Sequence, residues 1–84
     1  MATLDDVKAL LRDVLQLGEK VKNFNSDTPL FGALPEFDSM AVVAVVTALE
    51  EKFDFVIEDD EIVAEVFETL ASLTRFVEQK RATD

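Results

Sequence analysis

Asp38 and Ser39 stand side by side where a loop rich in turn-forming residues gives way to a long apolar segment. A serine hydroxyl at the first turn of a helix lies beside backbone N–H groups that have no partner within the helix, and these groups and the helix dipole favour a phosphate ester. Asp38 suits the N-cap position. By residue type alone, a serine at a helix start usually has a structural role. The residues around Ser39 must therefore show whether it has a chemical one.

The sequence contains no cysteine and no histidine. Without cysteine there is no disulfide, no thiolate metal ligand and no protein thiol to hold an acyl group, so any thioester chemistry needs a cofactor's sulfur. Without histidine the chain lacks the commonest general base and the commonest transition-metal ligand. We therefore expect no catalytic residue and no metal site, and the chain is not expected to be an enzyme.

Length and charge narrow the class of protein further. Eighty-four residues suffice for one domain, residues 1–84, and the net charge of −10 repels nucleic acid and steers the chain towards basic protein surfaces. No apolar run approaches the roughly 20 residues that span a membrane, and residues 1–8 lack the basic and apolar start of a signal peptide. We expect a monomeric, cytoplasmic protein without a membrane span, whose partners are proteins with positive patches.

Apolar residues recur at helical spacing in four segments of the chain. The first helix is predicted at residues 3–16 and the second at 39–53, where Met40, Val43, Val46, Leu49 and Phe53 fall at helical spacing. The β-branched run at 41–46 also fits a strand, but the spacing persists over about 15 residues and favours a helix. A short third helix at 60–66 and a fourth after Thr69 complete the pattern.

A long loop is predicted at residues 19–38, between the first two helices, because periodicity disappears there and turn-forming residues accumulate. A loop of about 20 residues is unusual in so small a domain and typically has a function or packs on itself. Leu30, Phe31, Leu34 and Phe37 are the side chains that could attach it to the core. The sequence thus predicts an all-α fold, a small four-helix bundle with this long loop and a short third helix.

The residues around Ser39 carry a specific resemblance. Residues 27–53 read DTPLFGALPEFDSMAVVAVVTALEEKF, which is similar to the acyl carrier protein family, where a Leu-Phe pair precedes an Asp-Ser-Leu motif and a helix that ends in Glu-Glu and Phe. The acidic residues 59–61 and the positions of Thr69 and Leu73 also resemble that family, so the similarity extends over about residues 3–80. It implies the acyl-carrier type of four-helix bundle.

The resemblance implies a cofactor and partners. It makes Ser39 the attachment point of a 4′-phosphopantetheine arm, transferred from coenzyme A by a phosphopantetheinyl transferase, whose thiol holds acyl groups as thioesters. Partner enzymes with basic patches would load and use those groups. A peptidyl or aminoacyl carrier, or an acidic helical adaptor without the arm, are the alternatives, and the apolar second helix looks somewhat like specialised bacterial carriers such as the exosortase-associated type.

Asp38, beside the attachment point, is a candidate for docking these enzymes and could equally assist the transferase with its metal ion. Two further sets of residues are docking candidates. Met40 replaces the family's usual Leu, and Ala41, Val42 and Ala44 stand where the family is often acidic or polar, which favours an apolar recognition face over extra burial. A calcium loop at residues 54–65 is disfavoured, because the required glycine is missing. Acidic residues, otherwise a solvated face, are the second set: Glu50, Glu51, Asp59, Asp60 and Glu61.

A sheltering pocket for part of the acyl chain is a further expectation of the resemblance. Its walls would come from the second helix and from the segment that follows it. For each of these side chains a plain core role is more common than a specific contact with the acyl chain. The candidates are Val43, Val46, Leu49, Ile57, Ile62 and Val63.

Overall fold

Three α-helices joined by 3-10 turns make up the fold in the computed structural model, which describes residues 3–83. Helix α1 runs over Thr3–Leu15, α2 over Ser39–Phe53 and α3 over Leu70–Thr83, and α1 packs against both α2 and α3. Their apolar faces enclose one continuous core. The all-α prediction is confirmed, and no helix among residues 3–83 is long and apolar enough to cross a membrane.

Helix α1 forms because its apolar residues fall on one stripe and its first turn is acidic. Val7 and Leu11 are fully buried, and Leu10 and Leu15 nearly so. The helix ends at Leu15, one residue before the predicted end, because Gln16 adopts a left-handed conformation with φ of 54°. The N–H of the following residue then reaches back over the last turn, which is a usual way for a helix to end.

The predicted loop at 19–38 is partly regular and is held in place. Its start lies within a 3-10 turn over Gly18–Asn23. Four backbone hydrogen bonds of 2.8–3.0 Å join residues 26–31 to residues 67–71. Leu30 and Phe37 are buried and Leu34 is partly buried, as expected, whereas Phe31 remains 40% exposed. The loop therefore has a fixed position beside the start of α2.

The third segment is short, as predicted, but it is not one amphipathic α-helix. Two 3-10 turns, Asp59–Glu61 and Ala64–Phe67, are separated by Ile62 and Val63, and Val63 is extended, with φ of −123° and ψ of 154°. Adjacent β-branched residues favour such extended backbone. The second turn packs against α3, which leaves space between this segment and α2.

Helix α2 is confirmed over Ser39–Phe53, and the strand alternative for residues 41–46 is wrong. Val45 is fully buried beside Val46 and Leu49, while Met40 and Val43 are 78% and 63% exposed. Met40 was expected at a docking surface and Val43 in the pocket. No charged residue occurs between positions 39 and 49, so the sequence offers no polar face from which the orientation of the helix could be read.

Candidate functional site

Ser39 is the first residue of α2 and lies exposed to solvent. Asp38 takes the N-cap position that the sequence predicts, with extended backbone, and its Oδ1 accepts a hydrogen bond of 2.9 Å from the N–H of Ala41. The N–H groups of Ser39 and Met40 have no acceptor within residues 3–83. The hydroxyl therefore stands beside two free backbone donors at the positive end of a helix of 15 residues.

The Ser39 hydroxyl makes no hydrogen bond within the described part of the chain. An exposed hydroxyl without a hydrogen-bond partner is accessible to a modifying enzyme. A serine with a structural role at the N-terminus of a helix instead usually accepts a hydrogen bond from a backbone N–H. Here the capping role belongs to Asp38. This division of roles weakens the plain structural interpretation of Ser39.

A cavity of about 320 Å³ opens at Ser39, between the start of α2, the loop and the 59–67 segment. Ser39 is the only residue with a polar side chain in its wall, so the site is strongly apolar. The second 3-10 turn of that segment, Ala64–Phe67, packs against α3. The lining residues are Phe31, Ser39, Val42, Val43, Ile62, Val63, Ala64 and Phe67.

The cavity contains only part of the predicted acyl pocket. Val43, Ile62 and Val63 line it. The other three candidates, Val46, Leu49 and Ile57, are 7%, 0% and 7% exposed and belong to the closed core. Val46 and Leu49 face inward together with the fully buried Val45. The cavity is thus confined to the Ser39 end of the helix.

Aromatic residues form part of the wall that the sequence did not predict. Phe31 packs edge-on against Phe37, with ring centroids 6.1 Å apart and planes at 84°, and Phe37 in turn contacts Phe67 at 5.9 Å. Phe31 and Phe67 both line the cavity. The backbone bonds between residues 26–31 and 67–71 bring these rings together across about 36 positions of sequence, which no local pattern reveals.

The apolar docking candidates divide between surface and core. Met40 and Ala44 are exposed, and Val43, not predicted for this role, lies exposed beside them. Ala41 and Val42 are half-buried and pack against the core, which accounts for much of the apolar character that distinguishes this helix. We call Met40, Val43 and Ala44, together with the 45% exposed Val63, the apolar patch.

The acidic docking candidates also divide. Glu51, Asp59 and Asp60 are exposed, and their side chains make no hydrogen bond or ion pair within residues 3–83. Glu50 instead accepts a hydrogen bond of 2.9 Å from the N–H of Ile57. Three of the five candidates therefore offer carboxylates that are free to meet a partner, whereas Glu50, like Glu61, has a partner within the fold.

Glu61 stabilises the segment that borders the cavity. It accepts from the N–H of Glu58 at 2.9 Å and from the ammonium of Lys80 at 2.9 and 3.2 Å. These bonds, that from Glu58 first and that from Lys80 second, hold the pKa of Glu61 below its usual range. In the loop, the ion pair with Lys20 similarly lowers the pKa of Glu36.

Comparison with known proteins finds consistent similarities. The family model described as "Phosphopantetheine attachment site" matches residues 5–77. An acyl carrier protein of Sulfurovum sp. (strain NBC37-1) is 39% identical over 79 residues, covering 93% of this chain and 97% of that protein. An acyl carrier protein of Wolinella succinogenes is 37% identical over 82 residues, covering 96% of this chain and 100% of that protein.

A solved structure is similar over nearly its whole length. The solution NMR structure of a holo acyl carrier protein from Nitrosomonas europaea matches with a TM-score of 0.89 at 54% sequence identity, covering 98% of this chain and 99% of that chain. The three helices and the short third segment are thus arranged as in that protein.

Proposed function

The chain belongs to the acyl carrier protein family, and on that premise we propose that Ser39 carries the 4′-phosphopantetheine arm. As a member of this family the protein is a carrier of acyl thioesters and not a catalyst, and its arm is covalent. One observation carries the assignment to Ser39: its hydroxyl is exposed and uncommitted at the start of α2, with two free N–H groups beside it. Those groups and the helix dipole favour the negative charge of a phosphodiester.

In the modification step the chain supplies the hydroxyl of Ser39, and a separate enzyme, the transferase, catalyses the reaction. The Ser39 oxygen forms a bond to the phosphorus that bears the pantetheine, the bond from that phosphorus to the bridging oxygen breaks, and adenosine 3′,5′-bisphosphate leaves. The hydroxyl proton passes to the transferase. When bound, the arm supplies the thiol that this cysteine-free chain lacks.

Intact mass spectrometry tests this proposal. Incubation with coenzyme A and a phosphopantetheinyl transferase of broad specificity should add one phosphopantetheine group to the protein. The Ser39→Ala variant should gain nothing, while Ser26→Ala, which alters another exposed serine, should gain as much as the wild type. An undiminished gain in Ser39→Ala would show that the arm is attached elsewhere.

We further propose that the transferase and the acyl-handling enzymes dock on the surface around Ser39. The apolar patch adjoins the modified residue, and exposed carboxylates without a side-chain partner in residues 3–83 are present at Glu51 in α2 and at Asp59 and Asp60 in the following segment. Such a surface fits an apolar contact surrounded by basic side chains. Asp38 is exposed at the same site and could assist the transferase with its metal ion.

We propose that the working form is a single copy in the cytoplasm, and the charge of the chain supports the single copy. A net charge of −10 on 84 residues produces repulsion between copies at low ionic strength. Sedimentation equilibrium should therefore report a monomer. A dimer that persists in low salt would contradict this part of the proposal.

A further inference from the structure

A groove between α1 and α2 lies apart from the cavity at Ser39 and shares no lining residue with it. It has a volume of about 360 Å³ and is formed by one turn of each helix, through residues at positions i, i+3 and i+4 in both. On α2 it begins about 14 Å of helix rise after Ser39. The lining residues of this α1/α2 groove are Leu10, Asp13 and Val14 of α1 and Ala48, Glu51 and Lys52 of α2.

The floor of the α1/α2 groove is apolar. Leu10 is only 6% exposed, and Val14 and Ala48 are partly buried and pack against the core. Ala48 contributes a single methyl group, so a larger side chain at this position would fill part of the groove. At about 30 Å³ for each water molecule, the groove has the capacity of about a dozen waters, which is enough for one long side chain.

The rim of the groove carries two carboxylates from different helices. Glu51 is exposed, and its side chain makes no hydrogen bond or ion pair within residues 3–83. Asp13 is also exposed and accepts from Nε of Arg12 at 3.1 Å through Oδ1, while its Oδ2 has no partner in the described part of the chain. Lys52 makes no ion pair with either carboxylate among the described residues. The groove is therefore negatively charged above an apolar floor.

We propose that the α1/α2 groove receives an arginine side chain of a partner protein. The three methylene groups of the arginine cover the apolar floor, and its planar guanidinium donates to the carboxylates of Asp13 and Glu51. A lysine fits less well, because its compact ammonium lacks the forked donors that can bond two separate carboxylates. The inference goes beyond the proposed arm at Ser39 and holds whether or not that residue is modified.

Glu51 connects the groove to the docking surface around Ser39. Met40, Ala44, Thr47 and Glu51 follow one another at steps of four, three and four residues, so they share one side of α2, and all four are exposed. A protein interface of standard size covers about 800 Å² on each partner. A partner docked at Ser39 therefore reaches the groove as well, and an arginine bound there fixes the orientation of that partner along α2.

NMR titration of the ¹⁵N-labelled full-length protein with small model compounds tests the proposal. The probe is N-acetylarginine N-methylamide, whose blocked ends imitate an arginine within a chain. The citrulline analogue has nearly the same shape without the charge, and the lysine analogue has the charge without the fork. We expect the arginine probe to shift the amide signals of residues 10–14 and 48–52 saturably. Its dissociation constant should be about three- to tenfold lower than that of the citrulline analogue, since it gains two exposed ion pairs, and lower than that of the lysine analogue.

Variants of the lining residues should change the affinity for the arginine probe in opposite directions. Glu51→Gln removes one carboxylate and Ala48→Leu fills the groove, so both should weaken binding. Lys52→Gln should strengthen it, because it removes the cation that competes with the guanidinium. Glu78→Gln is the matched control for the loss of one charge, since Glu78 is exposed on α3 outside the groove, and it should bind as the wild type does.

Several results would overturn the proposal. If no saturable shift occurs, or if the arginine and citrulline probes bind equally, the two carboxylates do not form a site for a guanidinium. If Glu78→Gln weakens binding as much as Glu51→Gln, the probe responds only to the net charge of the protein. Ser39→Ala should bind the arginine probe unchanged, so a failure of this titration leaves the proposed attachment standing, and a failure of the mass experiment leaves the groove standing.

Discussion

Asp38 combines a structural role with a position next to the modified hydroxyl. Its carboxylate caps α2 through the N–H of Ala41, and the same carboxylate is exposed beside Ser39. The sequence predicted the cap from residue type and left the second role open, since a good N-cap residue and a residue that helps a transferase look the same in sequence. Substitution can separate them because the two roles need different properties, a hydrogen-bond acceptor for one and a negative charge for the other.

Substitutions of Asp38 distinguish these roles. Asp38→Asn retains a good capping oxygen without the charge, so stability should change by no more than a few tenths of a kcal/mol, whereas Asp38→Ala should cost about 1 kcal/mol. Chemical denaturation measures both. If the charge assists the transferase, the initial rate of coenzyme A-dependent modification falls in Asp38→Asn as well as in Asp38→Ala. Equal rates in Asp38→Asn and wild type would leave the cap as its only role.

At the scale of elements, hydrogen bonds between α2 and the chain after it decide which acidic residues are free. Glu50 and Glu51 are adjacent, and the sequence assigned them one role. In the structure the carboxylate of Glu50 accepts from the N–H of Ile57, seven residues away, and Glu51 makes no such bond. The side chain of Glu50 thus holds the chain that follows α2 in place, whereas the side chain of Glu51 faces solvent.

This pair provides a matched test of stability. Glu50→Ala should lower the free energy of unfolding by about 1–2 kcal/mol, since it leaves the part-buried N–H of Ile57 without its charged acceptor. Glu51→Ala should change it by less than about 0.5 kcal/mol. Urea denaturation of the two variants measures the difference. If both variants lose the same free energy of unfolding, the hydrogen bond from Ile57 to Glu50 makes no net contribution to stability.

The 59–67 segment is also held by a carboxylate, and its stability should depend on pH. Hydrogen bonds from Glu58 and Lys80 lower the pKa of Glu61 in the folded state. A group whose pKa is lowered by folding stabilises the protein above its unfolded pKa, near 4.3 for glutamate, and loses that contribution as the pH falls through the folded value. The stabilisation is therefore complete at pH 7 and lost towards pH 3.

Glu61→Gln should accordingly be less stable than the wild type at pH 7, and the difference should shrink on acidification. Urea unfolding at intervals between pH 7 and pH 3 follows it. Glu65→Gln is the control, because Glu65 is exposed and its side chain makes no hydrogen bond or ion pair within residues 3–83. If the free energies of unfolding of the wild type and Glu61→Gln differ by the same amount at every pH, the hydrogen bonds of Glu61 do not depend on its charge.

Particular elements show what the sequence could predict. The bounds of α2 and its cap follow from local signals, the N-cap aspartate and an unbroken helical run. The rotation of α2 does not, because a helix without charges over its first eleven residues has no polar side to exclude from the core. The cavity was missed in part for the same reason, and in part because Phe31 and Phe67 meet only through the backbone bonds between the loop and the start of α3.

At the scale of the whole molecule, charge and apolar surface act on a partner over different distances. Eighteen acidic against eight basic residues create a field that attracts a basic partner from a distance. The apolar patch acts only on contact. Because α2 contributes no charge until Glu50, attraction must come from the acids around the patch, and recognition beside Ser39 from the patch itself.

Salt separates the two contributions to binding of the phosphopantetheinyl transferase. The screening length falls from about 8 Å at 0.15 M ionic strength to about 3 Å at 1 M, so the dissociation constant of the wild-type protein should rise across that range. Glu51→Gln should weaken binding by about 0.2–1 kcal/mol in low salt and lose its effect at 1 M. Surface plasmon resonance at several salt concentrations provides both values.

Met40→Ser is the complementary variant, since Met40 is 78% exposed and lies directly after the attachment residue. Its replacement should weaken binding by on the order of 1–2 kcal/mol at every salt concentration, because the loss of apolar contact is not screened. The substitution should leave the stability of the free protein nearly unchanged, which denaturation can verify. Wild-type affinity in Met40→Ser, together with a full loss of binding in high salt, would mean that acidic residues alone dock the transferase.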